Sequence, residues 1–258
     1  MKVITLNANG IRSAAKKGAF DWLAHEKADV VCVQETKAQL DQLSDEVFHP
    51  KGYHCFYHDA VKKGYSGTAL YSKRAPEKVT MKLGIDLSDN EGRWLQADYK
   101  DWTVVSLYMP SGSSGEERLN LKLKLMADYE PVMQSLMDSG RYVVICADWN
   151  ICHKEIDLKN WKPNQKNSGF LPVEREWLDR MLTEQGWVDS FRVVNQEAEQ
   201  YTWWSNRGQA WAKNVGWRLD YQLVTPNLLK KIKQAHIYKE ERFSDHAPHT
   251  MHYTGKLV

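Results

Sequence analysis

Apolar residues along the chain gather in short runs separated by helix-like stretches. Strand-like runs cover residues 1–6, 28–34, 53–57, 67–72, 94–99, 102–109 and 142–147, and they return at 219–225, 235–239 and 248–254. Helical spacing is found over 13–27, 116–137 and 171–185, where Pro172 and Glu174 mark the start of the last helix. This mixture predicts two packed sheets with helices on the outside.

Several strand-like runs end in polar residues that can carry chemistry. Asp148 and Asn150 follow the run 142–147, Asn7 and Asn9 follow the run 1–6, and Glu35 follows the second run. Because strand side chains alternate, Asp148 and Asn150 are expected to point in the same direction. A D-x-N sequence alone is more often a turn than a site. If the strands share sheets, however, these ends converge on one rim.

Length and composition indicate a single globular domain over residues 1–258. The chain is 42% hydrophobic and 26% charged, and its glycines and prolines do not cluster into a linker. The first residues follow a strand pattern, and neither a signal segment nor a membrane-spanning run is evident. The four cysteines lack the spacing of a metal site. We therefore expect a reduced, cytoplasmic protein that does not enter membranes.

The overall charge neither indicates nor excludes nucleic acid as a partner. The formal net charge is only +2 and the isoelectric point is near 8.2, whereas dedicated nucleic-acid-binding domains often exceed a value of about 9. DNA binding would require that the basic residues gather on one face, or that a bound metal ion adds positive charge there.

Six short motifs in a fixed order carry a family resemblance. They are N-x-N-G at 7–10, Q-E-T-K at 34–37, Y-x-P at 108–110, D-x-N at 148–150, W-R-x-D-Y at 217–221 and S-D-H-A-P at 244–248. Together they resemble the exonuclease III family of apurinic/apyrimidinic (AP) endonucleases, within the endonuclease/exonuclease/phosphatase superfamily. The resemblance implies a four-layered α/β sandwich, with two mixed β-sheets packed face to face, helices outside and the site at one edge of the sheets.

The resemblance also implies an activity and a metal cofactor. The implied reaction is hydrolysis of the phosphodiester 5′ to an abasic site in duplex DNA, with trimming of blocked 3′ ends as a second activity. The implied cofactor is Mg²⁺, with Mn²⁺ as an alternative, and one or two ions. Glu35 is the main metal ligand by resemblance. The other implied ligands are Asn7, Asn9, Asp148, Asn150, Asp245 and His246.

Five residues are expected to perform the chemistry. By resemblance, Asp220 and His246 form a pair in which the carboxylate fixes the tautomer of the imidazole. Asp148 then orients or activates the water, Asn150 binds a phosphoryl oxygen, and the Tyr108 hydroxyl contacts the scissile phosphate. The sequence leaves open whether Asp148 or His246 is the base.

Basic, amide-rich and aromatic loops predict the DNA-binding surface. Amide and lysine side chains in such loops suit phosphate contacts better than base reading. By resemblance, Trp203 and Trp217 line a pocket for a flipped, base-free sugar, and Arg207 inserts into the duplex. The full set of expected DNA contacts is Arg12, Lys16, Lys17, Tyr65, Asn160, Asn164, Asn167, Trp203, Arg207 and Trp217. The expected partner is duplex DNA with abasic sites or blocked 3′ ends, bound by a monomer.

One residue departs from the family pattern, and other functions remain open. Ala147 precedes Asp148 where the family usually has glycine. If that position needs a positive φ, alanine would cost about 1 kcal/mol, and the site would be perturbed but active. The alternative functions are a non-catalytic binding protein on the same fold and a phosphatase that acts on lipid head groups or sugars. Neither one explains the acidic residues, His246 and the tryptophan pocket together, so a related DNA or RNA nuclease activity is the main alternative to cleavage at abasic sites.

Overall fold

The computed structural model describes residues 1–258 and contains two large sheets. In chain order the strands are β1 (Lys2–Asn7), β2 (Val30–Gln34), β3 (His54–His58), β4 (Thr68–Ser72), β5 (Lys78–Thr80), β6 (Trp94–Asp98), β7 (Trp102–Tyr108), β8 (Tyr142–Asp148), β9 (Val188–Asp189), β10 (Trp203–Trp204), β11 (Gly216–Trp217), β12 (Asp220–Val224), β13 (Ile232–Ile237) and β14 (His249–Tyr253). The helices are α1 (Ile11–Lys16), α2 (Ala19–Glu26), α3 (Asp86–Asn90), α4 (Glu116–Asp138), α5 (Trp161–Asn164), α6 (Pro172–Thr183) and α7 (Ser190–Val194).

Each large sheet has six strands and one parallel pair. The first sheet has the order β13-β14-β1-β2-β4-β3, and the second has the order β5-β6-β7-β8-β12-β9. Strands β1 and β2 are parallel in the first sheet, as are β7 and β8 in the second, and all other neighbours are antiparallel. A separate two-stranded ribbon joins β10 to β11.

Three apolar cores separate four layers. Leu70 of the first sheet and Val144 of the second lie in the core between the sheets. Phe20 of α2 packs against the outer face of the first sheet, while Tyr129 of α4 and Trp177 of α6 pack against the outer face of the second. The predicted four-layered α/β sandwich with two mixed sheets is therefore confirmed.

The continuous apolar run of β2 follows from its burial on both faces. All residues of β2 are buried. Val30 and Cys32 face the core between the sheets, whereas Val31 and Val33 face the helices. A strand that is covered on both sides has no solvent face, so its sequence need not alternate between apolar and polar residues.

The parallel pairs bring catalytic candidates to one edge of the structure. Because β7 and β8 run in the same direction, their last residues, Tyr108 and Asp148, lie side by side. The antiparallel strand β12 begins at Asp220, directly opposite Asp148. In the first sheet, the parallel strand β1 ends at Asn7 beside Gln34. The carboxyl ends of both parallel pairs therefore supply the candidate site.

Some predicted boundaries differ from the structure. The helix predicted over 13–27 is two helices, because Gly18 adopts a left-handed conformation with a φ of 89° between them. The strand predicted over 235–239 instead spans Ile232–Ile237. Most of the elements that the sequence did not predict are short, such as β9, β10, β11 and α5. Each of these elements has too few residues for a repeating pattern of apolar and polar positions to be visible in the sequence.

All four cysteines are free, and Cys32, Cys146 and Cys152 are buried. No helix combines the length and the apolar character that crossing a membrane requires. The single domain and the cytoplasmic location stay predictions.

A buried ion cluster fixes the chain just before Asp220. The Arg218 guanidinium donates to Asp157 at 2.7 and 3.2 Å and to Asp189 at 2.7 Å. Arg192 also donates to Asp157, at 2.6 Å. Burial alone would raise the pKa of Asp157, but the two arginines outweigh it and lower the pKa to about 2. The cluster thus joins α7 and β9 to the segment that leads into β12.

We predict that Asp157→Asn destabilises the fold in a pH-dependent way. Removing one member of a buried ion pair typically costs about 3–5 kcal/mol at neutral pH. Because the folded pKa lies below the ordinary value of 3.8, the carboxylate stabilises fully above that pH and loses its effect as the pH falls through about 2. Melting temperatures should therefore converge for wild type and variant in acid. The control Asp128→Asn removes only an exposed pair with Lys124 and should change little.

Candidate active site

Asp148 connects the two sheets at the candidate site. Its side chain is only 1% exposed, and its Oδ2 accepts a hydrogen bond of 2.7 Å from Asn7 Nδ2 on the opposite sheet. Asn150 donates to the same carboxylate from its backbone N–H at 2.9 Å and from its Nδ2 at 3.2 Å. The strand has already ended at this point, and a φ of 50° turns Asn150 back toward Asp148. The side chains of Asp148 and Asn150 therefore lie together as predicted. The turn after the strand brings them together, and not the alternation of side chains along the strand.

His246 lies between two buried carboxylates. Its Nδ1 is 2.9 Å from Asp220 Oδ2, and its Nε2 is 3.9 Å from Asp148 Oδ2. Because Asp220 accepts a hydrogen bond, Nδ1 carries a proton and the other ring nitrogen is directed toward Asp148. The predicted pairing of Asp220 with His246 is present in the structure.

Thr202 fixes both members of this pair. Its hydroxyl accepts hydrogen bonds from the backbone N–H groups of Leu219 and Asp220 at 3.0 and 3.1 Å. Its carbonyl accepts one from Ala247 N at 2.8 Å. The segment beside β10 therefore sets the separation between the start of β12 and the loop that carries His246.

Together, Asp148, Asp220 and His246 favour a charged imidazole ring on His246 and a carboxyl group on Asp148 that can exchange a proton. Burial opposes the charge on His246, but Asp220 and then Asp148 outweigh it and raise the pKa of the ring to about 10. Burial raises the pKa of Asp148 to about 7, against the opposing effect of His246. A carboxyl group with such a pKa can both accept and release a proton near neutral pH.

A second set of hydrogen-bonded polar residues lies at the ends of the first-sheet strands. Lys37 Nζ is 2.8 Å from Glu35 Oε1 and 2.5 Å from Asn9 Oδ1. Asn9 Nδ2 donates in turn to Asp245 Oδ1 at 2.9 Å. Asn9 and Glu35 have positive φ angles of 42° and 56°. Such conformations are costly for residues other than glycine and often accompany functional sites.

Tyr108 is held in place by Arg93. The Arg93 guanidinium lies 4.8 Å from the centre of the tyrosine ring, and Arg93 donates to the Tyr108 carbonyl at 2.8 Å. Burial, and after it the nearby Glu35, raise the pKa of Tyr108 well above its ordinary value. The hydroxyl therefore remains protonated and can donate a hydrogen bond.

A cleft of about 780 Å³ opens over these groups. Trp203 and Trp217 form part of its wall as a cross-strand pair on the β10–β11 ribbon, with ring centres 6.2 Å apart and an angle of 83° between the rings. Trp203 Nε1 donates to Asp245 Oδ2 at 3.1 Å, and both rings are only partly buried. The predicted residues that line the cleft are Asn9, Glu35, Tyr108, Asp148, Asn150, Asn167, Trp203, Trp217, Asp245 and His246.

The remaining predicted residues lie behind or outside this cleft. Asn7 and Asp220 are buried beneath it and contact it through Asp148 and His246. Arg12 and Lys16 line an adjacent cleft of about 760 Å³, and Lys37 lines both clefts. Five predicted DNA contacts line neither of the two clefts: Lys17, Tyr65, Asn160, Asn164 and Arg207.

Sequence reasoning missed several residues of the cleft wall. Lys37, Ser111 and Ser113 line the cleft without an assigned role, and Lys166, which also lines it, was expected only as part of a loop suited to phosphate contacts. Lys37 stands in the Q-E-T-K motif, and Ser111 directly follows Y-x-P, so proximity to a motif could have identified them. The identity of Lys166 as a wall residue depends on how its loop folds.

Ala147 occupies a regular strand position. It lies in β8 opposite Leu107 and Tyr221, and it is fully buried in the core beneath α4. The φ angle of Ala147 is not positive, so an alanine at this position carries no backbone penalty.

Asp148, Asp220 and His246 also bring together three groups that could hold a cation, provided that the His246 ring gives up its second proton. One ligand atom each from Asp148, Asp220 and His246 lie within 4.8 Å of one another. Asp220 Oδ1 is buried and has no hydrogen-bond partner. A hard divalent cation prefers such carboxylate oxygens. The sequence had assigned Asp220 only to pairing with His246, so its place in this donor set is a finding of the structure.

Comparisons with known proteins identify the family. The sequence matches the Endonuclease/Exonuclease/phosphatase family over residues 4–246. It is 40% identical to an exodeoxyribonuclease of Bacillus subtilis over 96% of this chain and 97% of that protein. It is 38% identical to the DNA repair nuclease APEX1 of Danio rerio over 97% of this chain and 81% of that protein. The chain belongs to the endonuclease/exonuclease/phosphatase family.

Solved structures of this family agree with the fold. An AP endonuclease from Archaeoglobus fulgidus superposes with a TM-score of 0.90 and 27% identity, covering 99% of this chain and 100% of that one. A 3′-5′ exonuclease from Neisseria meningitidis superposes with a TM-score of 0.91 and 27% identity, covering 98% and 99%. The family and fold predicted from the sequence are both confirmed, and the buried cluster is consistent with the metal dependence of this family.

We predict that Asp220→Asn lowers the pKa of His246 in the metal-free protein. Asp220 is the largest of the contributions that raise this pKa, and Asp245 contributes less. NMR titration of the histidine ring should therefore show a larger fall for Asp220→Asn than for the control Asp245→Asn. Equal falls in the two variants would contradict the pairing.

Proposed function

We propose that this protein is a Mg²⁺-dependent AP endonuclease that hydrolyses the phosphodiester 5′ to an abasic site in duplex DNA and also trims blocked 3′ ends. One observation carries the proposal. The buried cluster of Asp148, Asp220 and His246 opens into a cleft whose wall includes the paired rings of Trp203 and Trp217.

The relatives support the enzyme class. They include an exodeoxyribonuclease and a DNA repair nuclease, so the prediction of a nuclease of DNA repair is confirmed. A related 3′ phosphatase from Neisseria has been solved with a product DNA hairpin, at 26% identity and a TM-score of 0.91. DNA is therefore the substrate class that the comparisons support, and its duplex form belongs to the proposal.

The metal ion belongs beside the carboxylates of the cleft. Glu35 would supply the main hard oxygen ligand, and Asn9 and Asp245 are linked to it through Lys37 in the same hydrogen-bonded group of the cleft. When bound, Mg²⁺ would neutralise charge on the phosphoryl oxygens. Its identity as Mg²⁺ or Mn²⁺ and the number of ions belong to the proposal.

The charges in the cluster favour Asp148 as the base. His246 is held in its charged form by Asp220 and Asp148, which leaves no free lone pair on its ring to accept a proton. Asp148, whose pKa is near 7, can take a proton from an attacking water. The protonated ring of His246 can then stabilise the negative charge that develops on the phosphoryl group.

Two further donors face the phosphoryl position. The protonated hydroxyl of Tyr108 lines the cleft and can donate to a phosphate oxygen. Asn150 lines the cleft as well, and both hydrogens of its Nδ2 are engaged, by the Met109 carbonyl at 2.9 Å and by Asp148 Oδ2 at 3.2 Å. To bind a phosphoryl oxygen, Asn150 would release the longer contact to Asp148 and keep the shorter one, which fixes its direction.

The tryptophan pair accounts for selection of a base-free sugar. Trp217 is pressed against Gly169, where even a Cβ atom would lie 3.2 Å from its ring. A pocket with rigid aromatic walls can contact the apolar face of a sugar and exclude a full nucleotide. This property would distinguish an abasic site from undamaged DNA.

Basic and amide residues around the cleft would bind the duplex backbone. Arg12, Lys16 and Lys37 line the adjacent cleft, where phosphate groups could be neutralised. Asn167 donates to Asn164 at 2.7 Å, which fixes the amide-rich loop that borders the site. Lys17, Tyr65, Asn160 and Arg207 are proposed as outer contacts, and the enzyme is proposed to act as a monomer.

The test of this function is a cleavage assay with a defined substrate. A duplex that carries one abasic analogue should be cut once, on the 5′ side, in Mg²⁺ and not after chelation. Gel analysis of both labelled ends gives the position. Absence of cleavage, or equal cleavage of an undamaged duplex, would reject the proposal.

We predict that Glu35→Gln weakens Mg²⁺ binding and lowers turnover by at least ~10²-fold, the typical value of one oriented electrostatic interaction in such a site. Calorimetry would measure Mg²⁺ affinity without DNA, and the cleavage assay would measure turnover. The exposed Glu117→Gln in α4 is the control and should behave like wild type. Normal turnover of Glu35→Gln at limiting Mg²⁺ would rule out the assignment.

We predict that Trp217→Ala lowers abasic-site cleavage and reduces discrimination against intact nucleotides. The enlarged pocket would admit a base, while Mg²⁺ affinity should not change. Trp211→Ala is a matched control, because Trp211 is also partly buried but packs on Trp204 outside the cleft, at 4.3 Å between ring centres. Unchanged selectivity in Trp217→Ala, with only a lower melting temperature, would indicate that Trp217 serves packing alone.

A further inference from the structure

A lysine and a glutamate form an ion pair that is sealed beneath the cleft. Lys122 Nζ of α4 lies 2.6 Å from Glu174 Oε1 of α6, and both side chains are 0% exposed. Neither residue belongs to the motifs of the family resemblance. An ion pair buried this deeply is a weak source of stability, because the loss of hydration cancels much of the attraction. Its contacts suggest another purpose.

Lys122 contacts the backbone of a proposed phosphate-binding residue. Its Nζ donates to the carbonyl oxygen of Asn150 at 2.7 Å. Asn150 has a φ of 50°, and its side-chain amide is held by Asp148 and the Met109 carbonyl. The ammonium group therefore fixes the peptide that follows a strained residue whose amide must keep one direction.

Glu174 contacts the opposite side of the same wall. Its Oε2 accepts hydrogen bonds from the backbone N–H groups of Gly169 at 2.6 Å and Leu171 at 3.0 Å. Its Oε1 accepts one from the Ser168 hydroxyl at 3.1 Å. Ser168, Gly169 and Leu171 all line the cleft, and they directly follow Asn167.

The two contacts together join segments that are distant in the chain. The Gly169 carbonyl accepts a hydrogen bond of 2.7 Å from Cys152 N, just after Asn150. Gly169 has a φ of 95°, and a Cβ on it would lie 3.3 Å from the Asn150 carbonyl oxygen. With so little space between them, a shift of either segment would move the other.

We propose that Lys122 and Glu174 are positioning residues for hydrolysis, and that they hold the Asn150 amide and the Ser168–Gly169 wall in one fixed relation. The pair touches neither the substrate nor a metal ion and acts through the two segments that it joins. The proposal rests on the proposed function in one respect, the contact between Asn150 and the phosphoryl group.

The variant that tests this is Lys122→Met combined with Glu174→Gln. It removes both charges together, so neither is left buried alone, and the glutamine carbonyl can still accept from Gly169 or Leu171. We expect the catalytic constant at saturating abasic duplex to fall about 10²-fold, because a small misplacement of a catalytic group has an effect of that size. The Kd for the duplex, measured with chelator, should change less than about 3-fold, since uniform binding is retained.

Met133→Ala is the matched control in the same helix. Met133 is fully buried in α4 and packs in the core beneath the second sheet. The cavity should lower the melting temperature but leave the catalytic constant unchanged below that temperature. A folded double variant with a normal catalytic constant would overturn the proposal, as would a loss confined to the Kd.

A second measurement does not depend on activity. In ¹H–¹⁵N spectra of the metal-free protein, the double variant should shift the side-chain amide of Asn150 and the backbone amide of Gly169, and Met133→Ala should not. If the wild type fails to cut abasic DNA but these shifts occur, the proposed function fails and the positioning role stands. If neither amide shifts, the positioning role is wrong whatever the activity.

Discussion

The hydrogen bond between Asn7 and Asp148 is the interaction on which the site depends. It joins the last residue of β1 to the last residue of β8, so it crosses from one sheet to the other at 2.7 Å. A carboxylate that is 1% exposed is costly unless it has partners, and this one has Asn7, Asn150 and His246. The sandwich can therefore keep Asp148 buried only if both sheets end at the same edge.

The rest of the site compensates for that burial. His246 places a positive ring beside Asp148, and Asp220 supports the ring from behind. Burial away from water raises the pKa of Asp148, whereas the carboxylates of Asp220 and Asp148 raise the pKa of His246 against the effect of burial. The same environment that makes these buried groups costly to fold therefore gives the site a carboxylate, Asp148, that can accept a proton, and a positively charged ring on His246.

Backbone strain is concentrated around the same edge. Asn9, Glu35, Lys37 and Asn150 all have positive φ angles, between 42° and 56°. Each lies shortly after the end of β1, β2 or β8, and all four line the cleft. Such conformations persist only where the surrounding hydrogen bonds determine them, as Lys122 does for Asn150.

The sequence predicted the parts of this arrangement that are encoded locally. Buried strands such as β2 and β8 are visible as apolar runs, and motifs at their ends indicated Asp148, Asp220 and His246. It could not reveal Lys122 or Glu174 as a pair, because their partners are backbone groups brought near by α4 and α6. The ribbon of β10 and β11 was missed for the same reason, since two-residue strands exist only through their pairing.

The central claim is that Asp220 and His246 act as one unit with Asp148 in the cleavage of abasic DNA. A double-mutant cycle of Asp220→Asn and His246→Asn, measured as single-turnover cleavage of a duplex with one abasic analogue in Mg²⁺, tests it most directly. The account predicts that the double variant loses scarcely more activity than His246→Asn alone, because Asp220 works through the ring. Losses that multiply, with each variant reducing the rate independently, would contradict it.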